Sequence, residues 1–146
     1  MLKGIHEIIT PELLDVLMRA GHGDEIVIAD ANFPADSVGK QVVRQNGVKI
    51  PQLLDAVCAL FPLDASLSKP VVLMQPPPDI GTPEIWDLYT RLLSKHYTMD
   101  IEYEKLARFD FYDRASKAFA VVTTSELTRF ANIILRKGVI VAGMGS

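Results

Sequence analysis

The chain is 146 residues long, the size of one domain, and its 49% hydrophobic and 23% charged residues are ordinary for a globular protein that buries a core. Fifteen Lys plus Arg against eighteen Asp plus Glu leave a formal charge of -3, and no basic block is present. The electrostatic footprint of a nucleic-acid or anionic-membrane binder is therefore excluded.

No stretch approaches the roughly 18 to 20 apolar residues of a membrane span. The opening MLKGIHEIITPELL carries acids and a proline and does not read as a signal peptide. The single cysteine, Cys58, excludes an intrachain disulfide and a thiolate metal cluster, and its apolar neighbours predict a buried thiol packed as a small hydrophobe. A cytoplasmic, reducing compartment is the expected location.

Thr10, Pro11 and Glu12 supply an N-cap, a first-turn proline and a first-turn acid, and Leu13, Leu14, Leu17 and Met18 recur at helical spacing. They predict a helix that ends before Gly21. Glu25 to Asp30, EIVIAD, reads as a buried strand stopping at an acid. ANFPADSVGK reads as loop, followed by a short edge strand at Val42 and Val43 and a turn at Asn46-Gly47. Pro51 opens a second helix running to about Phe61.

Pro70 precedes VVLM, a second buried strand, and the three successive prolines of QPPPDIGT make the most loop-like segment. Thr82-Pro83-Glu84 repeats the earlier helix start and opens a third helix ending near His96. Ile101 to Lys105 reads as a strand, Phe109 to Lys117 as a short helix, Ala118 to Thr124 as a strand, and Asn132 to Leu135 as the last strand. The closing residues taper into small side chains, and 140–146 are read as a disordered tail. Strands alternating with amphipathic helices predict a single α/β domain over 1–146, with helices packed on a sheet.

Gly21-His22-Gly23-Asp24 places a glycine-flanked imidazole at an element end, where it is either an acid/base group or a locally bonded surface histidine. Asp30 at the end of its strand is either a ligand-binding acid in the crevice outside the strand ends or a turn-forming aspartate. Arg108, ahead of Phe109, Phe111 and Tyr112, is either a ring-stacked surface arginine or a fork aimed at a polar ligand. His6 and His96 lack such company. There is no phosphate-binding glycine signature and no metal-ligand spacing, so neither a nucleotide cofactor nor a metal is expected.

Three separated segments, GHGDEIVIADANFPA at 21–35, RFDFYDRASKAFA at 108–120 and FANIILRKGV at 130–139, resemble the L-fucose mutarotase and D-ribose pyranase family in the family's order. The likeness extends over nearly the whole chain and is stronger to the fucose branch. It implies a cofactor-free isomerase that interconverts anomers of a reducing monosaccharide, L-fucose or a related sugar. On this resemblance His22 falls on the general acid, and Asp30, Arg108, Phe130, Ala131 and Asn132 fall on sugar-binding positions.

The chemistry suits these residue types. Opening a cyclic hemiacetal removes a proton from the anomeric hydroxyl and protonates the ring oxygen, which positioned acid/base groups accomplish without metal or redox cofactor. Phe130 departs from the tyrosine common in the third motif, retaining the ring and losing the hydroxyl, and Tyr112 is a candidate to replace it. The resemblance also implies a homo-oligomer of pentameric rings paired into decamers, with each active site completed across a subunit boundary. The alternatives are a monosaccharide-binding or sensing protein that has lost catalysis, and pyranose/furanose interconversion of D-ribose.

Overall fold

Helix α1 (Pro11–Arg19) starts where the sequence predicts, with the Thr10 hydroxyl accepting from the Leu13 N–H at 3.2 Å, which satisfies one of the donors left open by the first turn. Its apolar face of Leu13, Val16 and Leu17 is buried. The chain then enters β1 (Glu25–Ala29), buried along its whole length. A strand buried at every position needs cover on both faces, and both are covered here. In this computed structural model, which describes residues 1–143, a six-stranded sheet carries helices on each side.

After β1 come α2 (Ala35–Val38), β2 (Val42–Gln45), α3 (Ile50–Cys58), β3 (Val71–Met74), α4 (Ile85–His96), β4 (Tyr103–Leu106), α5 (Arg108–Ser116), β5 (Ala120–Thr124) and β6 (Ile133–Arg136). The sheet order is β2-β5-β1-β6-β3-β4. β6 runs antiparallel to β1 and β3, and all other pairings are parallel. Residues just before β6 therefore lie at the same sheet end as residues just after β1, β3 and β5.

Side chains alternate across the sheet. Ile26, Ile28, Leu73 and Leu135 pack with α1, α3 and α4, whereas Val27, Ala29, Val72 and Ile134 pack with Phe33, Phe111 and Ala115 of the α2 and α5 side. Cys58 is free and buried in the first of these clusters, and burial pushes its thiol up to about 12.

Two predicted elements differ. The segment expected as continuous loop contains the one-turn helix α2, because Phe33 and Ala35 are drawn into the core beneath α5, a tertiary burial too short to leave a period in the sequence. α4 begins at Ile85 rather than at Thr82, and Thr82 is exposed with no capping role. The Trp86 and Asp87 N–H groups close the entry onto Pro83 and Glu84, at 3.2 and 3.1 Å, so a tight turn of i to i+3 bonds replaces a side-chain cap. The tail expected at 140–146 is exposed and free of helix and strand over 140–143, and 144–146 lie outside the described residues.

Candidate active site

At the sheet end where the parallel strands finish, β1 delivers Asp30, the segment before β6 delivers Phe130 and Asn132, and the first two turns of α5 deliver Arg108 and Tyr112. They enclose a cavity of about 290 Å³, with Phe33 and Met74 as its apolar wall and Leu127, Thr128 and Arg129 on its rim. The volume sits at the small end of the ~300–1,000 Å³ typical of small-molecule sites. A crevice outside the carboxyl ends of strands is the usual ligand position in an open α/β sheet.

Each polar group is held. The Asp30 N–H donates to Asn132 Oδ1 at 2.7 Å, and Asp30 Oδ1 accepts from the Asn32 N–H at 2.9 Å. Half-burial pushes the Asp30 carboxyl above the usual aspartate value, and the Glu126 charge adds to the rise. Bonds from the Asn32 and Phe33 backbone and the Asn132 side chain offset part of it. Arg108 donates from Nε to the Tyr112 hydroxyl at 3.0 Å and lies over the Phe109 and Tyr112 rings, 5.1 and 5.5 Å from their centroids. The remaining guanidinium donors meet no acceptor among the described residues.

The rim loop is anchored from beneath by Glu126, a buried acid. Its carboxylate accepts from the Ile50 N–H at the start of α3 and from the Thr128 N–H, both at 3.2 Å, while its carbonyl accepts from Ala31 at 2.8 Å. Phe130 is the only non-glycine residue with positive φ among the described residues, at 57°, a conformation that costs a side-chain-bearing residue roughly 1–2 kcal/mol. Its carbonyl accepts from Trp86 Nε1 at 3.3 Å, and the next carbonyl, of Ala131, accepts from the Tyr89 hydroxyl at 2.6 Å. Ala131 itself is fully buried on the α4 side, so it meets the cavity through no side chain.

The profile of the RbsD / FucU transport protein family matches residues 3–140. The chain belongs to this family. It is 45% identical to the L-fucose mutarotase of Actinobacillus pleuropneumoniae serotype 5b over 140 residues, 95% of this chain and 97% of the relative. Among solved structures, the fucose mutarotase of Streptococcus pneumoniae in complex with L-fucose superposes with a TM-score of 0.89 at 44% identity, over 96% of this chain and 100% of the other. Bacillus subtilis RbsD complexed with D-ribose reaches 0.72 at 26% identity, over 97% and 100%.

In this RbsD / FucU family member the four side chains Asp30, Arg108, Phe130 and Asn132 come together in one cavity, and His22 does not join them. His22 precedes β1 and Asp30 follows it, so a five-residue strand, about 16 Å long, separates them. Gly23 makes that turn possible: its φ is 88°, and an added Cβ would stand 3.2 Å from the Arg136 guanidinium. The His22 ring is exposed, with Nε2 3.6 Å from the buried Asp64 carboxylate, which Arg136 and Ser66 also hold. Those bonds and the His22 charge hold the Asp64 carboxyl below the usual range against the opposing effect of desolvation.

Asn32, Met74, Leu127, Thr128 and Arg129 escaped the sequence reading because nothing in their local pattern separates a cavity rim from a solvated loop. Glu126 is the one with a legible signal, an acid two residues past the end of a buried β-branched strand. Arg114, inside the second family segment, serves the frame. It grips buried Glu25 through two bonds of 2.7 and 2.8 Å and reaches Glu104, tying α5 to β1 and β4.

Proposed function

We propose that this chain is a cofactor-independent mutarotase that interconverts the anomers of a reducing monosaccharide, L-fucose or a close relative. The observation that carries the reading is the convergence of Asp30, Arg108, Phe130 and Asn132, from three distant segments, on one small polar cavity. The likeness to a fucose-bound mutarotase along 96% of the chain supports the substrate class.

In this reading Asp30 and Asn132 bond sugar hydroxyls, the free Arg108 donors fork onto two ring substituents, and the Phe130 ring lies against an apolar sugar face. The Tyr112 hydroxyl accepts from Arg108, which leaves its own proton to donate into the cavity, the function that Phe130 lacks. A proton leaves the anomeric hydroxyl to solvent water as the ring oxygen gains one, the bond between the anomeric carbon and the ring oxygen breaks, and the open-chain aldehyde recloses on its other face with both proton transfers reversed. His22 supplies the ring-oxygen proton as general acid.

Because His22 lies a strand length from the cavity of its own chain, it serves the cavity of a neighbouring copy. Exposed apolar side chains mark both ends of the sheet, Met18, Val139 and Ile140 on the His22 side and Phe109 and Leu127 on the cavity side. Two unlike patches at opposite ends favour a head-to-tail contact, which closes into a ring when the rotation allows. A pentameric ring, paired into a decamer, is the assembly we assign. A cytoplasmic setting fits the free, buried Cys58, and no helix among the described residues is long and apolar enough to cross a membrane.

Saturation transfer between the anomeric protons of L-fucose, with D-ribose alongside, tests the proposal. Exchange of fucose above the buffer rate is expected. Calorimetric binding without exchange would select a sugar-binding module instead, the reading that the missing Phe130 hydroxyl favours, and exchange confined to ribose ring forms would select a pyranase.

A further inference from the structure

Helix α4 lines none of the cavity, yet it donates hydrogen bonds to two successive carbonyls at the one non-glycine residue of positive φ among the described residues. Trp86 and Tyr89 are one helical turn apart and so share a face, and both are buried there. Trp86 Nε1 donates to the Phe130 carbonyl at 3.3 Å, and the Tyr89 hydroxyl donates to the Ala131 carbonyl at 2.6 Å. Immediately beyond them, the Asn132 side chain receives the Asp30 N–H at 2.7 Å. Two successive carbonyls are thus drawn to the helix side of the segment, while Phe130 and Asn132 present their side chains to the cavity.

We propose that Trp86 and Tyr89 are positioning residues of the sugar site: their hydrogen bonds hold Phe130 in its left-handed conformation and thereby aim the Phe130 ring and the Asn132 amide at the substrate. The proposal rests on the mutarotase reading for its consequence in catalysis and on the bonds themselves for the geometry. A left-handed backbone in a residue with a side chain persists only where its surroundings enforce it. The carbonyl bonds are the polar contacts that do so here, and a helix otherwise read as plain core packing becomes the part that sets the register between Phe130 and Asn132. Neither residue touches the sugar, so neither is catalytic.

Tyr89→Phe removes one hydroxyl from the brace and little volume, and Trp86→Phe removes the indole N–H. Three measurements decide the matter. In the sugar-free protein, the backbone amide signals of 130–132 and the side-chain amide of Asn132 are expected to shift and broaden in Tyr89→Phe. In fucose exchange, kcat/KM is expected to fall about tenfold, the size of one buried hydrogen bond lost from a site where geometry matters. Combined with Asn132→Ala, Tyr89→Phe is expected to add less than about twofold to the loss from Asn132→Ala alone, since both act through the same segment.

Unmoved amide signals in a folded Tyr89→Phe, or losses that multiply in the double variant, overturn the proposal. If Tyr89→Phe does not fold, Trp86→Phe is judged by the same criteria. A wild-type protein that exchanges no sugar refutes the mutarotase reading, and the sugar-free amide signals then still decide whether the brace holds the segment. Trp86 is the single tryptophan of the chain, so its one indole N–H signal reports the bond to Phe130 directly.

Discussion

Replacing Asp30 by asparagine is expected to slow the enzyme and stabilise the fold together. The substitution keeps shape, and the side-chain oxygen that receives the Asn32 N–H at 2.9 Å is retained. It removes the negative charge from a half-buried position facing the cavity. A hydrogen bond from a sugar hydroxyl to a charged acceptor is worth about 1.5–3 kcal/mol, so losing that character in the transition state lowers kcat/KM roughly 10- to 150-fold.

Stability moves the other way. Desolvation, reinforced by Glu126, raises the folded-state value of the Asp30 carboxyl above that of the unfolded chain, so the ionised group opposes folding above the folded value. The penalty fades as pH falls and is gone below the unfolded value. Asp30→Asn is therefore expected to have a higher Tm than the wild type at pH 7, with the two curves converging as pH drops toward the ordinary carboxylate range. Anomer exchange by NMR and thermal unfolding monitored by circular dichroism over pH check both halves. An exchange rate within twofold of wild type would refute Asp30 as a substrate contact, and a lower Tm at pH 7 would refute the electrostatic reasoning.

Three further outcomes follow from the same geometry. His22→Ala and Asp30→Asn, each at about a tenth of wild-type exchange or less alone, should rise to about a quarter of it when unfolded together and refolded as an equal mixture. That is the fraction of head-to-tail contacts pairing an intact histidine with an intact cavity in a randomly mixed ring; recovery of nothing would show that His22 does not act across a boundary. Tyr112→Phe should reduce kcat/KM about tenfold by removing the hydroxyl that Arg108 holds and the cavity lacks at Phe130, whereas an unchanged rate would leave that role empty. Arg114→Met should leave Glu25 buried and unpaired, at a cost of about 3–5 kcal/mol, which lowers Tm by roughly 10 °C; a loss under 1 kcal/mol in urea unfolding would show that Glu25 finds another partner.

The order and type of the elements were legible because their causes are local. Thr10-Pro11-Glu12 caps a helix through its own first turn, EIVIAD is apolar without a break from Ile26 to Ala29 as two covered faces require, and the proline run after Met74 admits no regular structure. Asp30 and Arg108 were legible as candidates because a strand end and a helix start are boundaries written in the sequence, and the likeness of the three segments to a known family joined them into one site. α2 was not, since a four-residue helix has no period of its own and exists because Phe33 and Ala35 are buried under α5.

What tertiary structure alone decided is which of these groups meet. The antiparallel insertion of β6 between β1 and β3 brings Asn132 to the Asp30 N–H, a pairing 102 residues apart that no local propensity encodes. The bonds from α4 to Phe130 and Ala131 are of the same kind: Trp86 and Tyr89 read as apolar-face residues, and their polar atoms acquire partners only once the helix lies against that segment. His22 shows the limit of spacing along the chain. Eight positions from Asp30 in sequence, it is separated from it in space by the length of β1, because an extended strand carries its two termini to opposite ends of the sheet.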